Sequence, residues 1–206
     1  MHPIERLRYV ARASNAPDHV LVSESMPALA TFCDDQNTLL IALRQLISRQ
    51  PESPGLLCFG ARLLHAIEPR EAGYALVDEF FADRTIEIAE SIAITEAGGT
   101  DVIDSIASGP GQVLCPAGTK AWIEHAREGS RSVVVVTPFA SRLPERLWRS
   151  YLERNEVDGA TDADPSPGAL EVLPLDSFDD LIDSGGVRPL EEWSADCPDV
   201  VEIARG

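Results

Sequence analysis

The sequence predicts an α/β protein: a helical region over residues 1–95, then a small Rossmann-like region over 96–206 with a mainly parallel sheet, flanking helices and an acidic C-terminal tail. Three observations carry this. Apolar residues recur at helical spacing through the first part. The composition turns β-branched after Gly98-Gly99. Ser132-Val-Val-Val-Val-Thr137 is a continuous β-branched run, as expected of a strand buried on both faces under helices.

The helices are placed by their start and stop signals. Pro3 suits a first helical position, with Ile4, Leu7 and Ala11 on one stripe. Asp18 is placed to cap a second helix running through Leu21, Leu29 and Phe32, interrupted or kinked at Pro27. Asp35 or Asn37 caps a third, in which Leu39, Leu40, Leu43, Leu46 and Ile47 repeat. Pro51-Glu52-Ser53-Pro54 stops it and starts a fourth carrying Leu56, Phe59, Leu63 and Leu64. Arg70–Ala82 and Thr85–Ile92 complete the series.

In the second part, Asp101–Ile106 has strand composition, Gly109-Pro110-Gly111 is a turn, and Gln112–Cys115 is a short strand. Ala117–Arg127 is helical, with Gly129 as its stop. A helix after Pro144 presents Leu147, Trp148, Tyr151 and Leu152. Asn155–Gly168 is a loop, and Ala169–Leu175 returns as a last strand. From Asp176 the tail is acidic, with Phe178, Leu181, Ile182, Leu190 and Trp193 as anchors.

Composition bounds the function. The net charge is −17, and Lys120 is the only lysine. From Glu156 onward, acids are opposed only by Arg188 and Arg205, a surface that repels phosphate backbones. Nucleic acid is therefore excluded as an expected partner. No apolar run approaches the roughly 20 residues of a membrane helix, and the N-terminus lacks a signal-peptide pattern, so the expected location is the cytoplasm, away from membranes. Cys33, Cys58, Cys115 and Cys197 form no close ligand pair, and no metal or cofactor is implied.

The chemistry-bearing stretch is Asp101 to Thr119. Pro116-Ala-Gly-Thr119 opens a helix whose backbone N–H groups could hold a phosphate or carboxylate. Gly118, Thr119, Lys120 and Asp101 are the candidate ligand-binding residues, at the carboxyl ends of parallel strands where open α/β sheets take ligands. Asp104 is the candidate catalytic acid or base. The competing account is an ordinary helix start with Thr119 satisfying a backbone donor. Cys115 beside that start is a candidate low-pKa thiol or, more simply, a half-buried strand residue.

The segment Asp101-Val-Ile-Asp-Ser-Ile-Ala-Ser-Gly-Pro-Gly-Gln-Val-Leu-Cys-Pro-Ala-Gly-Thr119, the helix to Ala126 and the strand Val133–Pro138 resemble the carboxyl-terminal domain of the translation initiation factor two-B α/β/δ-like family. Methylthioribose-1-phosphate isomerase and ribose-1,5-bisphosphate isomerase belong to that family. His2–Arg12 and Arg142–Trp148 look like an uncharacterised bacterial branch of it. The resemblance implies a helical part followed by a Rossmann-like part, and oligomers formed through the latter. By position the family's catalytic Asp falls at Asp104 or Ser105. Its phosphate-contacting Asn-Lys becomes Cys115-Pro116, leaving Gly118-Thr119, and its catalytic Cys-Asn-Thr-Gly-like loop has no counterpart.

Three readings follow. The first is a non-catalytic interaction or ligand-sensing protein that self-associates, with the Leu147/Trp148/Tyr151 face as a candidate contact. The second is an enzyme acting on a small phosphorylated sugar or nucleotide. The third treats residues 1–92 as a partner-binding surface.

Overall fold

The computed structural model describes residues 2–13, 16–95, 99–157 and 169–204. Most of the expected loop at Asn155–Gly168, and the Gly98 at which the composition changes, lie outside them.

The helices are α1 (Pro3–Val10), α2 (Asp18–Leu29), α3 (Gln36–Ile47), α4 (Pro54–His65), α5 (Pro69–Ala82) and α6 (Thr85–Thr95). Their starts follow the capping chemistry. The Asp35 carboxylate accepts from Asn37 N at 3.0 Å and Thr38 N at 3.4 Å, and Ser53 Oγ accepts from Leu56 N at 3.0 Å. Asp18 differs from expectation. It is the first residue of α2, after Pro17, and its carboxylate accepts instead from Ser53 Oγ and from Gly55 N at 2.8 Å. It thereby ties the starts of α2 and α4 together. The run beyond Pro27 ends at Leu29, followed by one 3₁₀ turn through Phe32. Helix α4 lies at the centre: Leu56, Leu57, Cys58 and Phe59 have no exposed surface. A helix apolar on all sides must be surrounded, and α2, α3 and α5 pack on it.

The principal sheet has the order β1-β4-β6-β7. It comprises β1 (Thr100–Asp104), β4 (Ser132–Val136), β6 (Asp180–Asp183) and β7 (Gly186–Pro189). The first three are parallel, and β7 is an antiparallel hairpin partner of β6. The β4 run behaves as its composition demands. Val133 and Val135 join Ile103, Ile123 and Ala126 beneath α7 (Thr119–Glu128). Val134 and Val136 join Ala89 and Ile182 on the α6 side.

Two expectations are corrected. The short strands do not extend the parallel layer. β2 (Ala107–Gly109), β3 (Gln112–Pro116) and β5 (Leu170–Pro174) form a separate antiparallel sheet, because the tight Pro110-Gly111 turn returns the chain beside itself. The segment after Asp176 is not merely a tail with anchors. Leu181 and Ile182 are the middle of β6, paired with Val135 and Val136. Asp179 enters that pairing because its carboxylate accepts from Val133 N at 2.7 Å.

Helix α8 (Glu145–Arg154) carries a third correction. Leu147, Trp148 and Tyr151 are 0%, 4% and 1% exposed, so the candidate self-association face is spent inside the chain. Trp148 lies so close to Gly109 that any Cβ there would enter its indole, and its Nε1 donates to Gln112 Oε1 at 3.2 Å. One buried cluster joins these α8 residues to α2, α3 and α4, with Cys197 and Ile203 from the last segment, which ends in α9 (Val201–Ala204).

Candidate functional site

Two places hold the polar chemistry. The first is the groove between the end of β1 and the start of α7. Gly118, at φ +93°, turns the chain into the helix. A groove of about 400 Å³ brings together Asp104, Gly118, Thr119 and Trp122. Asp104 is exposed. Thr119 Oγ1 donates to Pro116 O at 2.6 Å, and Lys120 N donates to Glu171 Oε1 at 2.9 Å. The carboxylate of β5 thus occupies a helix-start donor that an anionic ligand would use. The Lys120 side chain is exposed and lies outside the groove lining. Asp101 sits elsewhere on β1, its Oδ1 paired with Arg131. The strand end therefore brings Asp104 to Gly118 and Thr119, but not Asp101. Cys115 is fully buried, and burial pushes its thiol up to about 12, the opposite of an activated nucleophile.

The second place lies at the carboxyl ends of β4 and β6. Thr137 follows β4, and Asp183 ends β6; both are buried. Arg142 reaches between them and is itself 5% exposed. Its Nε and Nη2 donate to Thr137 O at 3.1 and 3.2 Å, and Nη2 donates to Asp183 Oδ2 at 2.9 Å. Asp196 Oδ2 lies 3.3 Å from Nε. Arg188 holds the other Asp183 oxygen at 3.2 Å. Cys197 Sγ donates to Arg142 O at 3.5 Å. Cys58 and Cys197 are free thiols, and a hydrogen bond with Cys197, together with burial, pushes the Cys58 thiol up. The last segment is thus fastened onto the sheet edge by charge and packing together.

Burial raises the Asp196 carboxyl above its usual value; Arg142 opposes the shift and Asp183 adds to it. Burial raises Asp18 likewise, against its bonds to Ser53 and Gly55. A raised carboxyl disfavours the charged form in the fold. Its stabilising share is complete below the ordinary pKa of about 4 and is lost as pH rises through the folded value. Asp196→Asn should therefore shallow the fall in melting temperature above about pH 4. Melts across that range in both proteins check it, and an unchanged profile would contradict it.

Sequence reasoning missed Arg142, Asp183 and Asp196. Asp183 and Asp196 lie in the segment read as an acidic tail, where nothing local marks a buried acid.

No known protein family matches the sequence, and no curated protein is similar to it. Solved structures share its fold. Translation initiation factor eIF2B beta from Chaetomium thermophilum superposes with a TM-score of 0.61 at 10% identity, over 92% of this chain and 88% of that one. The eIF-2B of Pyrococcus horikoshii OT3 gives 0.61 at 10%, over 90% and 96%. The tetrameric eIF2B-beta2-delta2 complex from C. thermophilum gives 0.59 at 10%, over 92% and 91%. The chain is an α/β protein with the eIF2B-like fold, and at this identity the likeness is one of fold. No described helix is long and apolar enough to cross a membrane.

Proposed function

We propose that this protein is a non-catalytic relative of the eIF2B-like group that works by association, with a second copy of itself as the first partner. The observation that carries this reading is the Arg142 cluster. Open α/β sheets take small ligands at the carboxyl ends of their strands. Here that edge, at β4 and β6, is filled by the chain's own paired charges. The eIF2B-beta2-delta2 structure is a tetramer, which supports assembly as the use of the shared fold. Exposed Ile4 and Ile41 lining a groove between α1 and α3 offer apolar surface for it.

A second reading is favoured by one observation: Asp104, Gly118 and Thr119 share a groove. It is an enzyme or sensor for a small phosphorylated sugar or nucleotide, with Asp104 as acid or base. A thermal-shift panel of sugar phosphates and nucleotides separates the two, run beside Asp104→Asn and Thr119→Val. Association without catalysis predicts no shift and no turnover in any protein. A ligand at a hundred times its Kd adds about 2.7 kcal/mol. Such a shift in the wild type, lost in both variants, would overturn the first reading.

A further inference from the structure

Alternation along β1 puts Asp101 on the same sheet face as Ile103, the face that α7 covers with Ile123 and Ala126. An acid there is out of keeping with its neighbours. Its side chain is 7% exposed. Oδ1 pairs with Arg131, while Oδ2 is buried and accepts no hydrogen bond from any described residue. Buried carboxylate oxygens are normally satisfied.

Asp101 lines a pocket of about 330 Å³ under the last turns of α7, with Trp122, His125, Glu128 and Arg131 around it. That volume falls within the range of small-molecule sites, about 300–1,000 Å³. Four features favour positive charge there. The Asp101 carboxylate has an unused acceptor. The carboxyl-terminal end of α7 carries the negative end of the helix dipole. Glu128 stands on the rim, 3.7 Å from His125. Trp122 keeps 41% of its surface exposed, leaving an indole available to a cation. Arg131 offsets one negative charge and is itself 41% exposed. The chain's net charge of −17 adds a general attraction.

We propose that this pocket binds a small organic cation bearing an N–H, a primary amine or guanidinium compound. Its N–H donates to Asp101 Oδ2, and its charge lies against the Trp122 indole. The site shares the Trp122 indole with the neighbouring Asp104 groove but takes neither Asp104 nor Thr119, and it is distinct from the Arg142 cluster.

Calorimetric titration of the full chain with agmatine tests it, against a sodium chloride control of equal ionic strength. The wild type should bind saturably at one site. Trp122→Leu, at a position 41% exposed, should weaken binding roughly ten-fold. Asp101→Asn should weaken it at least as much. No saturable binding would overturn the proposal. So would equal affinity in wild type and Trp122→Leu, which would make the attraction a property of the acidic surface at large. Should Asp101→Asn fail to fold, the Trp122→Leu comparison alone decides.

Discussion

Arg142→Ala should cost about 3–5 kcal/mol of folding stability, the range for breaking a buried charge network by removing one partner. Arg142 is 6% and Asp183 9% exposed at the side chain, so water cannot replace the lost guanidinium at little cost. The substitution strands Asp183 and Asp196 near each other and leaves the Thr137 carbonyl without its two donors. The deficit should shrink as pH falls, because protonating a stranded carboxylate relieves much of the penalty. Urea unfolding at neutral and mildly acidic pH measures both effects. A loss below about 1 kcal/mol would make the cluster equivalent to a surface ion pair, and the account of a filled sheet edge would fail.

Trp148→Ala should also cost about 3–5 kcal/mol, as expected for deleting a buried tryptophan. The indole packs against Gly109, bonds Gln112 and belongs to the cluster that joins α8 to α2 and α4. The variant also separates two uses of the α8 face. If the face is internal, stability falls and association is unchanged. If it were an intermolecular contact, association would weaken while the monomer kept its stability. Paired unfolding and sedimentation experiments distinguish these outcomes.

Much of the fold was legible because its signals were local. The Asp35 and Ser53 caps, the Pro51–Pro54 break and the Val133–Val136 run each act within a few residues. The β6–β7 hairpin was not legible. Leu181 and Ile182 are too short a pair to announce a strand, and their partner β4 lies more than forty residues earlier. The same distance hid the charge cluster: Arg142 and Asp183 are 41 residues apart. Neighbouring residues gave no reason to expect either to be buried. The Asp101–Thr119 stretch was recognised as chemistry-bearing from its acids and its helix start. What sequence could not supply was that Glu171, on a distant strand, bonds to the Lys120 amide, or that Asp101 turns away from Asp104 toward Arg131.

Sedimentation velocity of the full chain at micromolar concentration tests the central claim most directly. A protein that works by association through this fold should sediment as a dimer or larger species, with Ile41→Glu shifting it toward the monomer. A wild-type protein that remains monomeric throughout that range would contradict the account.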